Sequence, residues 1–291
     1  MTARSQYTFV IVALASLGCS SPRGRSGTST PSAEGGGGFV AGVCPTPTKE
    51  ALDAAPEWER RCEARDQAAC ANFGSVLIMS TEASKRARGE HLLRAACRAG
   101  EPRACASLAT MMATGACGVG QSFDEAIKFA DYSCQRGLKK ACVTTAIVGA
   151  KRGRPGDVEK ALAILEGTCA ALHGDACFQL GWIAGHPPID DQARSEQAYR
   201  DGCALRSPSS CIGLGYCLVH SDTSERQRSG RAVFEQSCVE LHSPEGCDSF
   251  AEAIEKGWGA PADHAAATTM YARACQMGSK AGCEHAARAG E

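Results

Sequence analysis

Aromatic residues are scarce in this chain, at 5% of 291 residues, and its formal net charge is only −1. Glycan-binding platforms need aromatic rings for stacking, and nucleic-acid-binding domains usually carry a basic surface, so both classes are disfavoured. Beyond the N-terminal segment the sequence has no run of about 18 apolar residues, the minimum for a transmembrane helix. The sequence therefore predicts no nucleic-acid partner and no membrane-spanning helix in the body of the chain.

Motifs for metal binding and catalysis are also missing. Structural zinc sites and thiol-redox sites usually contain C-x-x-C, which does not occur here, so both are disfavoured. The β-lactamase motifs S-x-x-K, S-D-N and K-T-G are absent. The seven histidines follow no constant spacing: His91, His173, His186, His220, His242, His264 and His285. We expect no metal, no cofactor and no catalytic residue.

Cysteine, by contrast, is abundant, with 18 residues. Fourteen of them form seven pairs that recur along the chain with a nearly constant separation, except that the sixth pair has one extra residue between its cysteines. The pairs are Cys62 with Cys70, Cys97 with Cys105, Cys134 with Cys142, Cys169 with Cys177, Cys203 with Cys211, Cys238 with Cys247, and Cys275 with Cys283. Their period of about 35 residues is typical of a solenoid of two-helix units.

Two columns of small residues accompany the cysteine pairs. Eight residues before each first cysteine stand Ala54, Gly89, Ala126, Ala161, Ser195, Gly230 and Ala267. Four residues after each second cysteine stand Gly74, Ala109, Ala146, Gly181, Gly215, Ala251 and Ala287. Mostly large apolar residues occupy the neighbouring columns, as packed helices require. Each unit is predicted to have one helix that starts near a second cysteine and another that ends at the next first cysteine.

The segments "FQLGWIAG" (178–185), "GVGQSFDEAIKFADYSCQRG" (118–137) and "GWGAPADHAAATTMYARACQMG" (257–278) resemble the Sel-one-like repeats, relatives of the tetratricopeptide repeat. The paired cysteines are similar to those of the Hcp-type branch. The resemblance covers about residues 49–290. It implies an all-α, right-handed α-solenoid of stacked antiparallel helix pairs over residues 49–291, with six to seven units and about 14 helices.

Each cysteine pair brackets a predicted turn. In a continuous helix the two Cα atoms would lie about 12 Å apart, whereas a disulfide needs them within about 7 Å. Glycines typical of helix ends and prolines typical of helix starts lie between the cysteines: Gly100, Gly137, Gly278, Pro102, Pro208 and Pro244. An antiparallel helix pair then brings the two cysteines together, so we predict seven disulfides.

Apart from Cys19, three further cysteines have no partner in this pattern. Cys117 lies in the loop "GACGVG", which lacks the preceding strand of a phosphate-binding loop. Cys44 precedes the first helix, so a bridge to Cys117 and free or intermolecular thiols are both open. Cys217 lies on a predicted helix, where a buried free thiol is the ordinary interpretation.

The N-terminus indicates export. Arg4 precedes the apolar stretch "YTFVIVALASLG", and "SLGCS" resembles a bacterial lipobox in which Cys19 is lipidated. Residues 1–18 are therefore predicted to be a lipoprotein-type signal peptide and residues 19–48 a flexible tether; an ordinary cleaved signal peptide is the alternative. In bacterial lipoproteins of this kind, a serine directly after the lipidated cysteine favours the outer membrane. Ser20 therefore favours an anchor at the outer membrane or periplasmic face over one at the inner membrane.

The predicted function is that of a non-catalytic, monomeric scaffold in the bacterial cell envelope. The concave face of a solenoid would bind an envelope protein or peptide, while the lipid would hold the chain at the membrane. His186 and Trp258 lie in unusual loops as candidate contacts, although a packing role is favoured for both. Asp190 and Asp191 are predicted to begin a helix. The alternative function is a β-lactamase-like or peptidoglycan-fragment-binding hydrolase, because some relatives carry that label.

Overall fold

A computed structural model describes residues 44–289 of the chain, and within them every regular element is helical. A short 3-10 turn covers Ala116–Gly118. The helices are α1 (Lys49–Glu63), α2 (Gln67–Ile78), α3 (Ala83–Arg98), α4 (Pro102–Thr114), α5 (Phe123–Gln135), α6 (Lys139–Arg152), α7 (Asp157–Ala170), α8 (Gly174–Ala184), α9 (Gln192–Ala204), α10 (Pro208–Val219), α11 (Ser224–Val239), α12 (Pro244–Glu255), α13 (His264–Gln276) and α14 (Lys280–Ala289). The all-α class and the predicted stacking of helix pairs are confirmed. The predicted signal peptide and nearly all of the tether lie outside the described residues.

The described part of the chain divides into two compact units, which separate between residues 180 and 181. The division falls inside α8. Each unit stacks successive helix pairs in the order of the sequence, as in a solenoid. We refer below to the N-terminal unit (44–180) and the C-terminal unit (181–289).

Helix starts are fixed by side-chain caps and by proline. Asp66, Asp191 and Asp263 each accept a hydrogen bond from a backbone N–H in the first turn of the following helix. Such caps satisfy N–H groups that have no partner within the helix. Pro102, Pro208 and Pro244 occupy the first positions of α4, α10 and α12, as predicted. The prediction that Asp190 and Asp191 begin a helix is confirmed, with Asp191 as the cap of α9.

The segments between paired cysteines, called linkers here, all reverse the chain through a residue with positive φ. Gly100, Gly137 and Gly278 adopt φ values of 96°, 88° and 106°. Where the equivalent residue is not glycine, the backbone still enters the left-handed region, as at Leu172 with a φ of 64°. Arg65, Arg206 and His242 do the same. The turn is therefore a property of the repeat and not only of its glycines.

The columns of small residues allow close approach between neighbouring helices. A Cβ atom on Gly215 of α10 would lie 2.8 Å from Cζ of Phe234 on α11 and closer still to two other ring carbons. The ring of Tyr199 on α9 packs in the same way against both Gly181 and Gly213. Phe234 is completely buried. The predicted alternation of large and small positions is thus the means by which helices pack.

Even-numbered helices lie on the more crowded side of each unit. In the N-terminal unit α2 contacts α4 and α4 contacts α6, and in the C-terminal unit α10 contacts α12 and α12 contacts α14. Among the described helices of each unit, alternate odd-numbered helices make no comparable contact. The even helices therefore form the inner face of each stack, and the odd helices form its outer face.

Candidate interaction surface

Seven disulfides join each odd helix to the even helix that follows it. Their Cα–Cα distances lie between 4.3 and 4.9 Å, well inside bonding range. Each bridge closes a linker across the turn described above, and so holds the two helices of a pair together at one rim of the stack. The bridged residues are Cys62 and Cys70, Cys97 and Cys105, Cys134 and Cys142, Cys169 and Cys177, Cys203 and Cys211, Cys238 and Cys247, and Cys275 and Cys283.

The second cysteine of each pair lies within the first turn of an even helix. Cys70, Cys142 and Cys211 stand at the fourth residue of α2, α6 and α10, and Cys247 and Cys283 hold the same position in α12 and α14. The extra residue of the sixth linker is taken up before α12 begins, because Cys247 keeps this place in its helix. Every even helix is therefore tied at its first turn to the end of the preceding odd helix.

An eighth disulfide joins Cys44 to Cys117, with a Cα–Cα distance of 4.6 Å. It fixes the segment that precedes α1 to the 3-10 turn after α4, at the rim opposite the linkers. The alternative of free thiols at these two positions is therefore wrong. Cys217 is buried and is also disulfide-bonded, so its interpretation as a free thiol is wrong as well.

Side chains on the inner face connect consecutive even helices in a constant register. The hydroxyl of Tyr216, on α10, lies 3.3 Å from the Ser249 hydroxyl on α12 and donates a hydrogen bond to Glu252, at 2.8 Å. In the N-terminal unit the hydroxyls of Ser75 and Ser107 lie 3.1 Å apart. In both units the contact joins equivalent positions of two consecutive repeats. One residue stands five positions after the second cysteine of its pair, and the other stands two positions after the second cysteine of the next pair. Because these columns vary in residue type, no sequence pattern indicated this contact.

The carboxylates on α12 are already engaged by neighbouring side chains. Glu252 also pairs with Lys256, and Tyr271 donates a hydrogen bond to Glu255 at 2.9 Å. Burial, together with the nearby Glu252 carboxylate, raises the pKa of Tyr216 well above its ordinary value. Burial and Glu255 raise the pKa of Tyr271 likewise. Both phenols therefore stay protonated as hydrogen-bond donors, and they cross-link neighbouring helices of the stack.

His285 on α14 makes the corresponding link back to α12. Its Nδ1 atom lies 2.8 Å from a carboxylate oxygen of Asp248, whose side chain is buried. The ring of His285 also packs against that of Tyr271, with centroids 4.8 Å apart. The hydrogen bond to Asp248 is the main cause that raises the pKa of His285 above its ordinary value. Protonated His285 therefore helps to hold α14 on the stack.

The stability of the C-terminal unit is expected to fall as pH rises and His285 loses its proton. Because the folded-state pKa is raised, the stabilisation is complete below the unfolded-state pKa of about 6.5. It is lost as pH rises through the higher folded-state pKa. Urea unfolding across this range should show a loss of about 1 kcal/mol in the native chain, less than the roughly 1.5–3 kcal/mol of a hydrogen bond to a charged group because solvent screens the partly exposed His285. The His285→Gln variant should lack this step, and an identical step in that variant would contradict the assignment.

Aromatic and imidazole side chains lie along the inner face of the C-terminal unit. Trp182 is 38% exposed, and the ring of His186 stacks on it with centroids 4.6 Å apart. His186 Nδ1 also lies 2.6 Å from the Trp182 carbonyl oxygen. One repeat further on, His220 and Tyr216 repeat this arrangement with a distance of 2.8 Å. The most exposed aromatic residue of the surface, Trp182, was not recognised from the sequence because it lies inside a repeat helix.

Trp258 is half-buried beside this row. Its ring lies edge-on to Tyr216 and tilted against His220, with centroid distances of 6.3 and 5.3 Å, and the Lys256 ammonium lies 5.0 Å from its ring centre. It also packs against the apolar core of the C-terminal unit. The packing role favoured for Trp258 therefore describes its main contacts.

Two classes of site are absent from the part of the chain that the structure describes. No group of three or more histidine, cysteine or acidic residues between 44 and 289 is arranged to hold a metal ion. None of the helices in the same range combines the length and the apolar character needed to cross a membrane.

Solved structures with a similar fold include Sel1 repeat proteins. A protective antigen of uropathogenic Escherichia coli that displays the SLR fold matches with a TM-score of 0.60 and 14% identity. The match covers 82% of this chain and 52% of that one, so the chain spans about half the length of this neighbour. A Sel1 repeat protein from Oxalobacter formigenes matches with a TM-score of 0.51 and 17% identity, over 81% and 71% of the two chains.

Neither a protein-family model nor a curated protein matches the chain. The chain thus has the fold of the Sel1-like repeat proteins, which supports the family resemblance seen in its sequence. At this level of identity the likeness establishes the fold alone. Helical repeat stacks in general present extended concave surfaces.

Proposed function

We propose that the protein is an exported, non-catalytic scaffold of the bacterial cell envelope, anchored by a lipid on Cys19, that binds a protein or peptide on the inner face of its C-terminal unit. The observation that carries this proposal is the inner face of α10, α12 and α14 with the exposed Trp182 at its edge. Repeat stacks present such faces as extended, rigid binding surfaces. The carboxylates there are engaged in structural links, which favours docking over chemistry.

The disulfides support export. Seventeen of the 18 cysteines lie in the described part of the chain, and all seventeen are disulfide-bonded. Disulfides persist in oxidising compartments outside the cytoplasm and are rare in reducing ones. The periplasm or the cell surface is therefore the compartment in which this chain would be stable.

Mass spectrometry of the N-terminal peptide from native membranes tests the anchor. The expected product begins at Cys19 and carries acyl chains, more than one of which is needed for stable anchoring. Because Cys217 is disulfide-bonded and one sulfur cannot form both a thioether and a disulfide, the anchor requires that the partner of Cys217 be a cysteine of another molecule. A Cys19–Cys217 peptide found by mass spectrometry under non-reducing conditions would overturn the lipid anchor.

Site-specific crosslinking tests the binding face. A photoreactive phenylalanine analogue replacing Trp182 should capture one dominant envelope protein, whereas the same analogue replacing Val239, which is 43% exposed in a linker, should not. With the partner identified, Trp182→Ala should weaken its binding at least about tenfold, because exposed tryptophans often dominate interfaces. Val239→Ala should leave binding unchanged. Equal effects of the two variants would count against the inner face.

The non-catalytic part of the proposal is tested with nitrocefin. Purified, oxidised protein is expected to show no turnover above the buffer rate. Hydrolysis that disappears when one polar residue is substituted would replace the scaffold with the hydrolase alternative.

A further inference from the structure

Two consecutive linkers of the N-terminal unit carry an unusual density of positive charge. Linkers 97–105 and 134–142 contain five exposed cations: Arg98, Arg103, Arg136, Lys139 and Lys140. Each of the other five linkers holds at most one lysine or arginine. The single acidic residue in the two linkers is Glu101, and its carboxylate is used as the cap of α4.

The two linkers lie side by side at one rim of the unit. The Tyr132 hydroxyl donates a hydrogen bond to the Gly100 carbonyl at 3.2 Å, and the Ser133 hydroxyl donates one to the Pro102 carbonyl at 2.8 Å. The guanidinium of Arg136 lies over the Tyr132 ring, 3.5 Å from its centroid. None of the five cations makes an ion pair with a described residue. The charges are therefore gathered on one rim and left without a neutralising partner.

The next linker, 169–177, adds an apolar residue to the same rim. Leu172 is 76% exposed and adopts a φ of 64°. It follows the end of α7, which packs against α6, and α6 begins at Lys139. Since the two helices run in opposite directions, the end of α7 lies beside the start of α6. The disulfide between Cys169 and Cys177 closes this linker. Leu172 thus protrudes from a closed turn beside unpaired cations.

We propose that this rim, formed by linkers 97–105, 134–142 and 169–177, docks on a bilayer that contains anionic phospholipids. The lysines and arginines would lie against headgroup phosphates, and Leu172 would enter the boundary between headgroups and acyl chains. Affinity for such a surface grows with buried apolar area and with the number of cations near the headgroups. The rim consists of protruding turns and not of a groove, which favours a broad anionic surface over an acidic protein segment. This contact goes beyond the proposed anchor and does not depend on it.

The test uses residues 19–291 produced without lipid, which retain every described helix and all 18 cysteines. Circular dichroism establishes that each preparation is helical. The probe is a set of vesicles of phosphatidylglycerol and phosphatidylcholine in equal amounts, compared with vesicles of phosphatidylcholine alone. The protein should sediment with the anionic vesicles at low salt and be released at high salt, because salt screens exposed charges. Sedimentation with both kinds of vesicle alike would overturn the proposal.

Matched variants locate the contact. Lys139→Gln with Lys140→Gln should lower the partition coefficient about thirtyfold, as expected for two cations at an anionic surface. Leu172→Ser should lower it about tenfold at any salt concentration, because an apolar contact is lost. The control for charge is Lys128→Gln with Lys160→Gln, two exposed lysines on α5 and α7 of the same unit. The control for the leucine is Val239→Ser in the C-terminal unit.

The outcome is decided by the difference between rim variants and controls. Loss of binding in the rim variants alone supports the proposal, whereas equal changes in rim and control variants contradict it. Binding of soluble poly-glutamate without any binding to anionic vesicles would replace the bilayer with an acidic protein partner. None of these results affects the crosslinking experiment at position 182. The proposed bilayer contact of the rim and the proposed partner binding of the inner face are therefore tested independently.

Discussion

Complete reduction of the disulfides is expected to unfold the protein at room temperature. By the chain-entropy relation each short linker bridge contributes about 2.5 kcal/mol, and seven of them are together comparable with the net stability of a typical domain, roughly 5–15 kcal/mol. Far-UV circular dichroism of the reduced, alkylated chain should show little helix, whereas the oxidised chain should unfold cooperatively. A reduced chain that keeps its helical signal and its melting temperature would show that helix packing alone is sufficient.

Removal of single bridges should rank them by loop length. The Cys44–Cys117 bridge spans 73 residues, so by the same relation the double variant with Cys44→Ser and Cys117→Ser should lose about 4.5 kcal/mol. The double variant with Cys97→Ser and Cys105→Ser removes a bridge that spans 8 residues and should lose about 2.5 kcal/mol. Urea unfolding of the two double variants gives the comparison. Peptide mapping of the native chain under non-reducing conditions is the control, because bridges between distant linkers would remove the basis of the ranking.

The repeat and its packing could be predicted because the same residue types recur at equivalent positions of successive repeats. The position of Gly215 is occupied by glycine or alanine in every repeat, and the neighbouring positions are mostly large and apolar. Cysteine spacing and helix-end glycines together indicated a turn, and the structure has that turn in every linker. These features repeat because each unit faces the same packing problem.

Features that occur once, or that depend on how repeats meet, were not predictable in this way. The Cys44–Cys117 bridge joins two positions outside the repeat register, and no spacing rule relates them. The contact of Tyr216 with Ser249 depends on the offset between consecutive even helices, which the period does not specify. Leu172 occupies a turn position that is glycine in three of the seven linkers, and its protrusion followed only from the left-handed backbone there. The residues of both proposed surfaces are of this kind.

The Gly215→Ala substitution is expected to lower the free energy of unfolding by about 3 kcal/mol, the upper range for overpacking a core. The added methyl group would overlap the Phe234 ring, and that ring is completely buried and contacts Tyr216 edge-on at 5.0 Å. Gly167 of α7 provides the control, since a Cβ atom there would have nothing within 4 Å. Gly167→Ala should stabilise the protein by up to about 1 kcal/mol, the difference in helix propensity. Chemical denaturation of both variants is the measurement.

A double-mutant cycle with Phe234→Ala separates the clash from the intrinsic effect of alanine. Phe234→Ala alone should cost about 3–5 kcal/mol, because it leaves a cavity. In that background the ring is gone, so Gly215→Ala should change sign and become mildly stabilising, like Gly167→Ala. A Gly215→Ala penalty that persists without the ring would mean that the backbones of α10 and α11, and not the aromatic residue between them, set the spacing of the helices. The sign of the Gly215→Ala effect in the Phe234→Ala background therefore decides whether the small residue at position 215 is needed to make room for the large ring of Phe234.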